Sequence, residues 1–292
     1  MKKDHYMKLK FIAITLAVSA LAACSPSKKE KVTDDGSISA RTPETENLLA
    51  HLKKVSSRGF MFGHHDDTNY GIGWEGDEGC SDVKSVCGDY PAVISFDLGH
   101  LELGDTLSLD KVPFSKIRRE ILNQYKRGGL SSLSWHLRNP LTGGDSWDVS
   151  DTTVVKSILP GGVHHEKFAG WVSKVSAFIN SLQTEDGVKV PVLFRPWHEH
   201  TGSWFWWGEK LCTPEEYKAL WHMTVDILRG DGVDNALYAY SPGGEPQDTA
   251  QYLKRYPGDD LIDVIGFDTY QFDRPSYLAN VGKSLAIVDS IG

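Results

Sequence analysis
From residue 42 onward, short apolar runs alternate with stretches whose apolar positions recur three or four residues apart. This predicts strands alternating with amphipathic helices. Thr42 and Pro43 read as an N-cap and first helical position, opening a helix with Leu48, Leu49, Leu52 and Val55 on one face and a stop at Arg58 and Gly59. A first strand is expected at 60–64 (FMFGH), then a polar, glycine-rich loop over 66–89 and a second strand from Ala92 (AVISFDLG). Phe114, Ile117, Ile121, Leu122 and Tyr125 mark the next helix, closed by Gly128 and Gly129 ahead of the strand LSSLSWH at 130–136. After a loop over 139–162, Phe168, Trp171, Val172, Val175, Ile179 and Leu182 give a helix, and VPVLFRPWHE a strand at 190–199. Thr213, Pro214 and Glu216 form a capping box for a helix reaching Arg229. Two further strands are read at 236–242 (ALYAYSP) and 262–270 (IDVIGFDTY), and Leu278, Val281, Leu285 and Val288 give the apolar face of a last helix.

Such regular alternation predicts an α/β fold in which helices cover a parallel sheet. Neither GxGxxG nor GxxxxGK[ST] occurs, which removes the main support for a nucleotide-binding sheet. Instead His64, His65, Asp97, His136, Glu199, Ser241, Asp268 and Tyr270 fall at or just after the C-terminal ends of successive strands, where a (β/α)8 TIM barrel gathers its active site. About six βα units are read between residues 59 and 292, so a full barrel at that rate needs roughly two more.

Composition narrows the partners. The 292 residues are 40% hydrophobic and 24% charged, enough for a full core, with 31 Lys plus Arg against 39 Asp plus Glu for a net charge of −8. With no basic block after the first ten residues, nucleic acid is excluded as a partner. Nine Trp are heavy usage, and flat aromatic faces suit sugar rings as well as cores.

Lys2, Lys3, Lys8 and Lys10 precede an apolar run at 11–23, too short for a comfortable membrane span, so 1–23 reads as a signal peptide. Its last residues and Cys24 (LAAC) resemble the lipobox of bacterial lipoproteins, which implies acylation of Cys24. Residues 24–41 then form a polar tether, and 42–292 a domain anchored by lipid to the cell envelope, expected at the outer membrane. Cys80, Cys87 and Cys212 remain, an odd number in an oxidising compartment. One disulfide and one free thiol are expected, with Cys80–Cys87 and Cys87–Cys212 both open.

The chemistry concentrates in RPWHEHTGSWFWWG at 195–208. Period-two alternation on a strand places Leu193, Arg195, Trp197 and Glu199 on one face, pointing Glu199 into the barrel mouth between aromatic walls. A carboxyl group against indole is partly desolvated, the setting of a general acid that holds a proton before giving it up. A metal-dependent hydrolase built on His64, His65, Asp66, His198 and His200 is set aside. Adjacent strand histidines face opposite ways, and HEH lacks the HExxH spacing. No metal and no cofactor is expected, and His164 and His165, ahead of a helix, read as solvated.

RPWHEHTGSWFWWG, with FGHHDDTNYG, SWHLRNP and GFDTYQ, resembles the retaining β-mannanases of glycoside hydrolase family 26, in particular the branch common in gut Bacteroidetes. The resemblance runs from about Thr42 to the last residue. It implies a monomeric (β/α)8 barrel that cleaves β-1,4-mannosidic bonds of mannan by double displacement, with Glu199 as acid/base. It assigns His198, Trp204, His136 and Tyr270 to the substrate cleft, which Trp197 and Arg195 are expected to join. Many relatives carry Met-Asn where this chain has His200 and Thr201. The family's nucleophile is a glutamate on a strand after the last helix read here, so it is expected beyond residue 292, and the chain as it stands is expected to be inactive. Glu209, Glu215, Glu216 and Glu245 have structural roles in this reading, and Asp268 is the least poor substitute. The alternative is a mannan-binding surface lipoprotein without catalysis, or an inactive gene fragment.

Overall fold
The computed structural model describes residues 41–292. The signal peptide, Cys24 and all of the tether but Arg41 lie outside the described residues. Element order is α1 (Pro43–Ser56), β1 (Gly63–His65), β2 (Tyr70–Gly71), β3 (Trp74–Glu75), α2 (Asp82–Cys87), β4 (Val93–Asp97), α3 (Phe114–Lys126) and β5 (Leu130–Ser134). There follow α4 (Val154–Ile158), α5 (His165–Asn180), β6 (Val192–Arg195), α6 (Pro214–Gly230), β7 (Ala236–Tyr240), α7 (Thr249–Leu253), β8 (Val264–Ile265) and α8 (Arg274–Ile291).

Six strands form one parallel sheet in the order β1-β4-β5-β6-β7-β8, the sequential order of a (β/α) barrel. Register runs through Gly63↔Val93, Val93↔Leu130, Ser132↔Leu193, Val192↔Ala236 and Ala239↔Val264. Among the described residues β1 and β8 each pair on one side only, so the sheet is open. The central strands β5 and β7 are buried along their whole length, as a sheet covered on both faces requires.

Local signals set the helices. Thr42 accepts a bond from the backbone N–H of Thr45 with Pro43 in the first turn, and Thr213 and Glu216 complete a reciprocal capping box at α6. Each cap contributes about 1 kcal/mol. The Phe114, Ile117, Ile121 face of α3 and the Phe168, Trp171, Val172, Val175, Ile179 face of α5 pack on the sheet with the buried side of α6.

Differences from the expected elements gather at the open edges. β1 begins at Gly63, and Phe60 and Phe62 are exposed, because a strand paired on one side has no neighbour to cover them. Only Val264–Ile265 of the expected last strand is paired, with one further bridge between Gly243 and Asp268. In α8, Leu278 and Leu285 face solvent while Ser284 and Ile287 are buried. The loop read at 66–89 contains the hairpin β2–β3 and helix α2.

Candidate active site
Asp97 closes β4 and is buried, yet four donors reach its carboxylate: Ser134 Oγ at 2.6 Å, Gly99 N at 2.7 Å, His136 N at 3.1 Å and His136 Nδ1 at 2.7 Å. Burial pushes this carboxyl up, but the bond and charge of His136, with Ser134 and Gly99, outweigh it and hold Asp97 well below the usual carboxylate range. Gly99 is required by close approach. A Cβ there would fall 2.6 Å from the His136 carbonyl oxygen and 2.9 Å from Asp97 Oδ1.

With Nδ1–H given to Asp97, His136 turns Nε2 toward His198 Nε2 at 3.0 Å. Burial, then the charges of Arg195 and His136, push His198 far down, so it is neutral. One proton lies between the two facing Nε2 atoms, and His198 Nδ1 is buried with no side-chain hydrogen-bond partner among the described residues. Trp147 lies flat on His136, with ring centroids 5.4 Å apart and 10° between planes, and Phe205 meets both histidines edge-on. Trp147 is half exposed in the loop after β5, and sequence reasoning missed it; the available signal was a lone Trp in a polar loop.

Glu199 lies beyond the end of β6. Trp197 and Glu199 take left-handed backbone at φ 56° and 53°, which ends the alternation expected across 190–199 and costs about 1 kcal/mol or more per residue. Trp197 therefore turns away from the mouth. It is fully buried against Trp135, Phe168, Trp206 and Trp207, and it is a core residue rather than a wall of the cleft. Glu199 turns the other way, its backbone N–H donating to Ser241 O at 2.8 Å. Trp204 Nε1 donates to Glu199 Oε2 at 2.8 Å, and the Tyr270 hydroxyl donates to Oε1. Burial, then the bond to Glu199, push Tyr270 up, which keeps it a donor. Trp204 packs across Gly202, where a Cβ would fall 2.3 Å from the indole.

Arg195 Nη1 lies 2.9 Å from both oxygens of Asp268 and 3.2 Å from Ser241 Oγ, and Ser241 also donates to Asp268. Arg195 is thus committed to a carboxylate in the cleft floor. Burial pushes Asp268 up, opposed by Arg195 and Ser241, and the Glu199 charge adds to the rise. Glu199, Trp204, Glu245, Asp268, Tyr270 and Phe272 line a cleft of about 300 Å³.

Of the remaining candidates, only Glu245 reaches the cleft. Glu209 pairs with Lys254 at 3.4 Å, Glu215 and Glu216 occupy the first turn of α6, and Glu245 accepts from Thr201 Oγ1 at 2.6 Å. His200 is fully buried with rings of Tyr217 and Tyr240 at 4.4 and 4.9 Å, and burial, then Arg255, push it far down. His164 and His165 are half-buried at the start of α5. The three described cysteines are free, correcting the expected disulfide. Cys80 lies two residues before α2 and Cys87 is its last residue. Cys212 is buried with Sγ 2.8 Å from Arg255 Nη2.

One carboxylate held by an indole N–H and a phenol, beside a carboxylate–histidine–histidine chain and exposed aromatic faces, suits acid/base chemistry on a sugar. A family profile described as Glycosyl hydrolase family 26 matches residues 38–288. A mannan endo-1,4-beta-mannosidase of Bifidobacterium adolescentis is 38% identical over 239 residues, which is 80% of this chain but 23% of that protein. A mannan endo-1,4-beta-mannosidase of Bacillus subtilis is 26% identical over 292 residues, covering 94% of this chain and 77% of the relative. Among solved structures, a GH26 beta-mannanase from Bacteroides ovatus superposes with a TM-score of 0.85 at 60% identity, over 86% of this chain and 73% of that one.

Proposed function
The chain belongs to glycosyl hydrolase family 26, and from that premise we propose that it acts on β-1,4-mannosidic bonds of mannan by a retaining double displacement, with Glu199 as acid/base. The observation that carries this reading is the setting of Glu199. Its two oxygens are held by Trp204 and Tyr270 at the mouth of the parallel sheet, facing a cleft open to a polymer. In the first step Glu199 protonates the departing glycosidic oxygen while a carboxylate attacks the anomeric carbon. In the second, Glu199 takes a proton from water as that water releases the glycosyl enzyme.

Retention requires the second carboxylate about 5 to 5.5 Å from the first. Asp268 and Glu245 share the cleft with Glu199, but the oxygens of Asp268 are occupied by Arg195 and Ser241 and Glu245 accepts from Thr201, which makes each a poor nucleophile. We assign the nucleophile to a carboxylate outside residues 41–292. His136, His198, Trp204 and Tyr270 line the subsite of the reacting sugar, Asp97 and Arg195 act behind them, and the protein works as a monomer. Acylation of Cys24 would tether the domain to the cell envelope at the outer membrane.

The test has two arms. Mannotetraose is expected to bind the chain as it stands, with Trp204→Ala weakening binding at least tenfold, and galactomannan is expected to yield no new reducing ends. Hydrolysis at an ordinary glycosidase rate would overturn the external nucleophile. In protein that carries the second carboxylate, Glu199→Gln is expected to abolish turnover while mannotetraose still binds; unchanged turnover would remove Glu199 as the acid. Binding without turnover even there would favour a mannan-binding lipoprotein.

A further inference from the structure
A second polar cluster stands at the C-terminal end of β1, beside Asp97. His65 Nε2 is 3.2 Å from Asp66 Oδ2, and one ligand atom from each of His65, Asp66 and Asp110 lies within 4.8 Å of the other two. Two of the three groups are oriented from behind. His65 Nδ1 is 2.8 Å from Ser95 Oγ, and Asp66 Oδ1 accepts from Asn69 Nδ2 at 2.7 Å. Asp66 is 1% exposed, and its Oδ2 has no hydrogen-bond partner among the described residues. Its one ion-pair neighbour among those residues is His65, and no lysine or arginine there pairs with Asp66 or Asp110. Burial, then the charges of Asp66 and Asp97, push Asp110 up, opposed by His65 and His136.

We propose that His65, Asp66 and Asp110 bind a divalent transition-metal ion of the zinc type. An imidazole nitrogen with two carboxylates is a donor set for such ions, whereas calcium and magnesium prefer oxygen alone. A tetrahedral ion about 2.0 to 2.1 Å from each ligand sets ligand atoms about 3.3 Å apart, which the His65–Asp66 pair already meets. A side-chain rotation brings Asp110 in. The half-exposed His65 leaves the fourth position to water. The bond from His65 to Ser95 fixes the ring as outer partners of metal-bound histidines do. The ion takes no part in glycoside cleavage. It clamps the loop after β1 to the loop before α3, at the open edge of the sheet, and it stands independently of the mannanase reading.

Titration of the metal-free chain with zinc chloride at pH 7, followed by calorimetry and thermal melting, tests this. One ion per chain is expected, with a rise in melting temperature of roughly 5 to 10 °C at a hundredfold excess over Kd. Calcium chloride is expected to bind at least tenfold more weakly. His65→Gln and Asp110→Asn each remove the bound ion and the thermal shift, and Ser95→Ala weakens binding roughly tenfold. Metal-free Asp110→Asn is expected to melt no lower than the parent, since it relieves crowding of like charges; lost binding then does not mean lost fold. Stoichiometric zinc that survives both ligand substitutions, absence of a stoichiometric ion, or calcium binding as tight as zinc overturns the proposal.

Discussion
Replacing Asp97 with Asn isolates the charge at the base of the histidine chain while keeping the side chain's shape. The amide oxygen can still accept from Gly99 N and His136 N. Its NH2 group then faces Ser134 Oγ and His136 Nδ1, which both donate in the parent protein. Two buried donors lose a charged acceptor, at about 1 to 2 kcal/mol each after partial rearrangement, so the variant is expected to be less stable by about 2 to 4 kcal/mol at pH 7. The sign of the pH dependence follows from the direction of the shift. Asp97 is held below its unfolded value, so its contribution is fully present above pH ~4 and is lost as pH falls through the unfolded value and then the folded one. Between pH 4 and pH 3 the gap between parent and variant should narrow by about 1 kcal/mol, since only the unfolded parent takes up the proton there. Urea titrations of both proteins by circular dichroism at pH 7, 5, 4 and 3 measure it. A gap below 1 kcal/mol at pH 7, or one that stays constant down to pH 3, would refute the charged Asp97–His136 link.

Trp204→Phe keeps an aromatic face over Gly202 and deletes the N–H that reaches Glu199, so mannotetraose affinity should fall less than tenfold while turnover in catalytically complete protein falls roughly tenfold or more; equal losses in both would make Trp204 a sugar platform only. Trp206→Ala empties a fully buried site among Trp197 and Trp207 and should cost about 3 to 5 kcal/mol in urea titration, where a cost under 1 kcal/mol would contradict the packed aromatic layer. Of the described thiols, exposed Cys87 and half-buried Cys80 should react with a disulfide reagent in the native protein, whereas Cys212, which burial pushes up to about 11, should react only after unfolding; rapid native labelling of Cys212 would show that its pocket opens. Cys24→Ala should abolish incorporation of labelled palmitate in a bacterial host, and retained label would remove the lipid anchor.

Most of the fold was legible because each central element carried redundant signals. α6 has a reciprocal capping box, proline in its first turn and an apolar face, and β7 is a short apolar run bounded by turns. At the edges such signals mislead, since they report what a segment prefers rather than what pairs with it. FMF at 60–62 has strand composition, yet pairing with β4 begins at Gly63. In α8 the spacing of Leu278 and Leu285 suggests a buried face, while the sheet covers Ser284 and Ile287 instead.

The site shows the same division at finer grain. Glu199, His136, His198, Trp204 and Tyr270 were singled out by strand-end position and by the family resemblance, and the structure links His136 to His198 and Glu199 to Trp204 and Tyr270. Trp197 was misplaced because alternation was carried past Arg195 through two left-handed residues that no local pattern requires. That break is what separates the roles: had the strand continued, Trp197 and Glu199 would share a face. Turning the chain at both positions instead sends the indole into the aromatic layer and the carboxylate to the cleft, where Ser241 holds its backbone and Trp204 and Tyr270 hold its oxygens. Backbone strain of about 1 kcal/mol or more per residue is small against the burial of an indole, on the order of 200 Å² at about 25 cal/mol per Å², so the core that Trp197 joins stabilises the conformation that aims Glu199.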